Sequence, residues 1–439
     1  MNCFSGLRAR PGVMANRRYW LVACVLVAFT ACGVKSSESA DGPASREYQV
    51  DLVVTPDPAT ATVEVGLRLR QPRDLVREVT FPFVPDHVSD FRGDGEIRRD
   101  GSALRWLPPA EGGALTWLAH VESRREPGGL DAWLGPDWGV FRAEDIIPRA
   151  RTRTLKRSVS NTTLAFELPA GWSAITEYPA TDDPIRVRRP DRRFDQPAGW
   201  IVIGDLGVRR EEIAGIRVAV AAPQGENVRR MDMLALLNWT LPELVPLLPD
   251  PPKRLTIVSA GDPMWRGGLS APASLYIHSE RPLISENATS ALLHEVMHTT
   301  LSLRAAPGMD WIVEGLAEFY SLELLRRGRA ITARRHAAAH SGLAEWAKKS
   351  ETLCDASSTG AITARAVTIF RALDTELQSA PGTEASLDDL LYELLSREVA
   401  VDFMLLAEIA EEISGKPSDT LHIDNLPGCH RMVAGTQDN

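Results

Sequence analysis

A change of hydrophobic period part-way along the chain is its strongest constraint on fold. From Tyr48 to about Pro223, apolar and polar residues alternate, as in Tyr48-Gln-Val-Asp-Leu-Val-Val and Ala61-Thr-Val-Glu-Val-Gly-Leu-Arg-Leu-Arg. A period of two places successive side chains on opposite faces of a strand. Phe166-Glu-Leu-Pro-Ala-Gly-Trp and Trp200-Ile-Val-Ile-Gly continue the pattern, with Pro- and Gly-bearing turns between segments. Met231 to Leu248 is helical in period but interrupted by Pro242 and Pro246, and Lys253-Arg-Leu-Thr-Ile-Val-Ser and Ala273-Ser-Leu-Tyr-Ile-His read as strands. After Ser285 the chain is mostly helical to about Ser414, with Ser379 to Ser386 as one loop. The expectation is an α+β multidomain chain: an antiparallel β-rich domain over 47–223, then a mostly helical domain over 224–439. Trp106, Trp117, Trp133, Trp138 and Trp172 in the first region suit core packing better than a sugar- or peptide-binding platform.

At 439 residues, with 44% hydrophobic and 24% charged, the chain has material for folded cores. Its formal net charge of −9 argues against a nucleic-acid partner. Residues 1–32 read as a signal peptide. Arg8, Arg10, Arg17 and Arg18 precede the apolar run Trp20 to Thr30, which is too short for a membrane span, and translation from Met14 would preserve the pattern. Phe29-Thr-Ala-Cys32 resembles a bacterial lipobox, with Phe where Leu is usual. Lipidation of Cys32 would anchor the chain to a membrane, with 33–46 as a Ser/Ala/Gly-rich tether. Ordinary cleavage would instead release a periplasmic or secreted protein. Cys354 and Cys429 then remain as a pair that can form a disulfide in an oxidising compartment or stay as two buried thiols.

The chemistry sits in His294-Glu-Val-Met-His298, within a helix-forming stretch from about Asn287 to Leu303 for which Ser285 or Asn287 is an available cap. A spacing of four puts both imidazoles on one helix face, where they can reach one ion. Glu295 is displaced around the helix and is free to hold a water and take its proton. Pro307 and Gly308 break the helix, Asp310 can cap the next, and Trp311-Ile-Val-Glu-Gly-Leu-Ala-Glu-Phe-Tyr follows. A returning helix can bring Glu314, sixteen residues past His298, beside the histidines. Two imidazoles and one carboxylate leave a fourth tetrahedral position for water, the arrangement of a catalytic zinc site.

These paired helices resemble those of the gluzincin metallopeptidases, which include thermolysin, aminopeptidase N and the glycyl aminopeptidases. The similarity is strongest over Gly267 to Leu325 and weaker over Thr363 to Ser414, and the β-rich region resembles the domain that precedes the catalytic one in those families. The resemblance implies a thermolysin-like catalytic domain holding one Zn2+ per chain through His294, His298 and Glu314. It further implies Glu295 as the residue activating water and Glu318 as an outer carboxylate orienting a histidine.

Two positions depart from that pattern. The edge strand that grips substrate corresponds to Gly267-Gly268-Leu269-Ser270-Ala271, with Ser270 where aminopeptidases carry the glutamate that neutralises the substrate amine. The tyrosine that donates to the oxyanion is replaced by Thr363; Tyr320, Tyr392 and His278 are candidates to substitute. His336-Ala-Ala-Ala-His340 repeats the metal-binding spacing but lacks a central glutamate and a recognisable downstream carboxylate, so it reads as an exposed basic helix face. The function expected is hydrolysis of peptide or protein substrates by an exported, envelope-anchored zinc peptidase, whether exo- or endopeptidase. A non-catalytic envelope lipoprotein using a gluzincin-like cleft for binding is the alternative.

Overall fold

The computed structural model describes residues 46–125, 128–179, 184–188, 194–381 and 384–430. The segment 1–32, Cys32, and the tether as far as Ser45 lie outside the described residues.

Alternation in sequence becomes alternation in burial. Along the strand Glu47–Asp57, Tyr48, Val50, Leu52 and Val54 are buried while Gln49, Asp51 and Val53 look outward. This strand lies inside a six-stranded sheet, antiparallel to Thr62–Arg70 on one side and parallel to Val159–Phe166 on the other. The parallel pairing corrects the expectation of a purely antiparallel region. Alternation fixes which face of a strand is buried, not which strand it pairs with. A four-stranded sheet (Arg151–Thr154, Val76–Phe81, Ala103–Leu107, Glu96–Asp100) shares its apolar core. Trp106 and Trp117 lie in that core, and Trp172 packs against it. Trp133 and Trp138 pack on a second, smaller cluster around Trp200 and Tyr276.

That smaller cluster joins two further sheets. One runs Ser173–Ile175, Trp200–Gly204, Trp138–Arg142, Leu130–Leu134, Ser123–Arg124. The other runs Leu206–Ile213, Ile216–Pro223, Arg254–Ala260, Ser274–His278, Gly268–Ala271, and so crosses residue 223. Ile216–Pro223, Arg254–Ala260 and Ser274–His278 are parallel neighbours, and Gly268–Ala271 closes the sheet as an antiparallel edge strand. Against this sheet packs the helical region, whose core runs from Leu234 and Leu237 through Trp311, Leu316 and Phe370 to Leu406 and Ile409.

The helices Asp310–Arg327 and Ala361–Gln378 approach each other through Gly315. A Cβ there would stand 2.5 Å from the Ala366 Cβ and 2.8 Å from the Phe370 ring, so any larger residue forces the two helices apart. Cys354 and Cys429 form a disulfide across 75 residues, tying the segment before the Ala361–Gln378 helix to the end of the described chain. On chain-entropy grounds, closing a loop of that length stabilises the fold by about 4 kcal/mol. Among the described residues, no helix is long and apolar enough to cross a membrane.

Candidate metal centre

The first helix of the site runs Ala291–Leu301 and is capped by Ser290, whose hydroxyl accepts from the Leu293 N–H at 3.2 Å. The cap is therefore neither Ser285 nor Asn287; Ser285 closes a preceding turn with Thr289. Ser302, in the left-handed region at φ 49°, ends the helix. The second helix, Asp310–Arg327, begins without a side-chain cap. Asp310 is its first residue rather than its cap, and a carboxylate oxygen of Asp310 accepts from the Ser358 N–H at 2.7 Å.

The two helices bring His294, His298 and Glu314 to one point. The two Nε2 atoms are 3.0 Å apart, and the Glu314 oxygens lie 3.3 Å from His294 Nε2 and 3.2 Å from His298 Nε2. A ring nitrogen carries one in-plane hydrogen or one lone pair, so it cannot satisfy two such partners by hydrogen bonds alone. Zinc bonded at its usual 2.0–2.2 Å has tetrahedral ligand edges of about 3.3–3.5 Å. Each imidazole faces a different Glu314 oxygen, Oε2 for His294 and Oε1 for His298, and these separations of 3.0–3.3 Å lie near that length, so the donor set fits a zinc-like cation. Behind it, His294 Nδ1 is 2.9 Å from Glu318 Oε2, a carboxylate close enough to orient the imidazole.

Without a cation the same contacts hold a proton. Burial drives His294 toward neutrality, but hydrogen bonds to Glu314 and Glu318 outweigh it and raise its pKa to about 10. Burial likewise opposes charge on Glu314, yet the two histidines carry its pKa down to about 2. The sign follows directly. His294 titrates higher when folded than when unfolded, so its ion pairs stabilise the metal-free fold fully below about pH 6.5, and that contribution is lost as pH rises toward 10. A metal needs the lone pair, so binding must expel this proton. Zinc affinity should therefore rise about tenfold per pH unit between pH 6.5 and 8.5. Glu318→Gln should lower affinity by about 10–100-fold and flatten that slope. Competition against a zinc chelator across this range measures both, and a pH-independent affinity in the parent would remove the His294 proton from the account.

Glu295 projects from the same helix toward the edge strand. Burial raises its pKa, against the lowering influence of His294, His298 and a hydrogen bond from the Ser270 backbone N–H. The strand comes so close that a Cβ on Gly268 would stand 2.5 Å from Glu295 Cγ. Only glycine lets the strand and the carboxylate coexist at that distance. Gly268→Ala should displace Glu295 while leaving the three ligand atoms in place. If Glu295 acts as a base on a metal-held water, activity should fall about a hundredfold with zinc content unchanged; activity at the parent's level would mean that the Glu295 position is not critical.

A cleft of about 370 Å³ opens over these groups, lined by Trp265, Gly267, Gly268, Arg281, His294, Glu295, Glu314, Glu318, Leu343, Trp346 and Thr363, with the Ser358–Gly360 turn. Leu269 is paired within the edge strand. Thr363 thus reaches the cleft, where its hydroxyl lies 3.2 Å from that of Ser358. None of the expected substitutes for a tyrosine lines it. Tyr320 is buried with its hydroxyl donating to Asp388 at 3.1 Å, Tyr392 is exposed on the Leu387–Ser396 helix, and His278 is buried on the sheet. Sequence reasoning missed Arg281, the one arginine among the lining residues, and the indoles of Trp265 and Trp346. Arg281 and Trp265 sit outside helices and strands, where periodicity carries no signal. Trp265 is braced from the N-terminal region: its backbone N–H donates to the Leu130 carbonyl at 2.8 Å, and the Arg125 guanidinium lies 4.2 Å from its ring.

His336 and His340 are not an exposed basic face. His340 is buried, His336 is half-buried, and His336 Nε2 lies 2.8 Å from Glu323 Oε1. The carboxylate partner comes from the preceding helix, upstream in sequence.

A β-rich region, a sheet ending in the Gly268–Ala271 edge strand and a helical region carrying the site make up an α+β fold. An aminopeptidase N family protein from Idiomarina loihiensis shares it with a TM-score of 0.58 at 13% identity, over 84% of this chain and 76% of that one. At that identity the likeness is one of fold. No protein-family model matches the chain, and no curated protein sequence matches it.

Proposed function

We propose that this chain is an exported zinc peptidase of the gluzincin kind, with a thermolysin-like catalytic domain. One observation carries the proposal: His294, His298 and Glu314 converge on a zinc-sized point, with Glu295 held beside it against an open edge strand. A zinc ion held there supplies Lewis acidity, polarising a scissile carbonyl and making water nucleophilic near neutral pH. Glu295 takes the proton of the attacking water and hands it to the leaving amine, a role suited to a carboxylate whose pKa burial has raised. Gly268–Ala271 is the outer strand of its sheet, and an extended peptide would add beside it as a further strand. Ser270 cannot neutralise a substrate amine, so nothing on this strand enforces cleavage at an N-terminus. Arg281, on the wall of the same cleft, would attract negative charge on a substrate. The disulfide suits an oxidising compartment, and lipidation of Cys32 would hold the enzyme at the cell envelope.

Incubation with a mixed peptide set tests the proposal. Cleavage abolished by a chelator and restored by zinc is the expected result; cleavage indifferent to the chelator would overturn it. The absence of a phenol among the lining residues favours a second reading, a non-catalytic envelope lipoprotein that binds peptides in the same cleft. That reading predicts saturable peptide binding with no cleavage, even when zinc is loaded.

A further inference from the structure

The Asp310–Arg327 helix carries a second constellation. Two and a half turns beyond Glu314, on the opposite face, it presents Glu323 to His336 and His340 of the Ala333–Ala347 helix. His336 Nε2 is 2.8 Å from Glu323 Oε1 and 3.1 Å from His340 Nε2. As at the first centre, one ring nitrogen faces two partners and cannot satisfy both by hydrogen bonding. These two separations are a little shorter than the edges of a tetrahedral zinc site, about 3.3–3.5 Å, and one donor atom from each of the three residues lies within 4.8 Å of the others. All three residues are buried or half-buried. Arg326 holds the other Glu323 oxygen, Oε2, at 2.6–3.0 Å, and Arg327 lies 3.5 Å from it, which turns Oε1 toward the imidazoles. A hydrogen-bonded outer partner of this kind commonly orients a ligand carboxylate.

We propose that Glu323, His336 and His340 form a second metal site, for a divalent cation of the zinc class, clipping the Ala333–Ala347 helix to the Asp310–Arg327 helix. Two imidazoles and one carboxylate are the ligand set that zinc accepts, with water in the fourth position. The nine residues from Glu314 to Glu323 span about 13 Å of helix, far beyond the roughly 4 Å separation at which two metals share a reaction. The second ion is therefore a clamp rather than a catalytic partner. Its consequence reaches the cleft, because Leu343 and Trp346 of the clamped helix form part of the cleft wall. The clamp does not depend on the peptidase reading.

The test is zinc stoichiometry in the purified full chain, with Zn2+ alone as the probe, by dialysis to equilibrium and elemental analysis. The parent should hold two zinc ions, and His340→Gln, His336→Gln and Glu314→Ala should each hold one. His336→Gln changes a half-buried side chain and guards against misfolding of the His340 variant; circular dichroism verifies both. Equal zinc in the parent and in folded His336→Gln would overturn the proposal, leaving a hydrogen-bonded trio fixed by Arg326. A single zinc lost in His336→Gln but kept in Glu314→Ala would support this site and refute the first. No zinc in any protein would refute both.

Discussion

Glu295→Gln is expected to keep its zinc while peptide hydrolysis falls by about 10²–10⁴-fold, the usual contribution of a positioned general base. Glutamine has nearly the same shape and still accepts the Ser270 backbone N–H, so the helix, the edge strand and the three ligand atoms need not move. What disappears is the capacity to take a proton. Glu295 is not one of the three convergent donors, which is why zinc content and turnover should separate. If the glutamine variant turned peptides over at the parent's rate, the proton would be going elsewhere and the proposed mechanism would fail. If it lost zinc as well, Glu295 would be supporting the metal rather than the water.

Glu314→Ala should act at the opposite end of the account. Its carboxylate touches both imidazoles and keeps His294 charged in the metal-free chain. Without it, a cation would be left with two neutral imidazoles and no formal counter-charge among its ligands. The loss in zinc affinity should exceed the 10–100-fold expected for an outer partner such as Glu318. The metal-free fold loses the Glu314 contacts with His294 and His298 and is less stable for it, but the three separate apolar clusters remain, so the variant should still fold. Chelator competition measures the affinity, and a thermal melt of the metal-free variant guards against misfolding.

The sequence made the site legible because its ligands are local. His294 and His298 share a helix face and Glu314 returns on the very next helix, so period and spacing alone bring them together. The boundaries were harder to read. Ser285, Asn287 and Ser290 all offer capping side chains, and only packing chooses Ser290. Pairings between distant segments left no local trace. The parallel register of Glu47–Asp57 with Val159–Phe166 joins residues more than a hundred apart, and alternation is the same whichever neighbour a strand has. The misreading of His336 and His340 has the same cause: their carboxylate, Glu323, lies thirteen residues upstream on another helix, where a search for a downstream partner does not look. Arg281 and Trp265 come from loops whose course only the folded sheet determines.

Zinc bound per chain in purified parent and Glu314→Ala, measured side by side at equal free zinc, tests the central claim most directly. The account predicts one fewer tightly held zinc in the variant, with its fold intact. The same zinc count in both would mean that His294, His298 and Glu314 do not form a metal site, and the peptidase reading would fall with it.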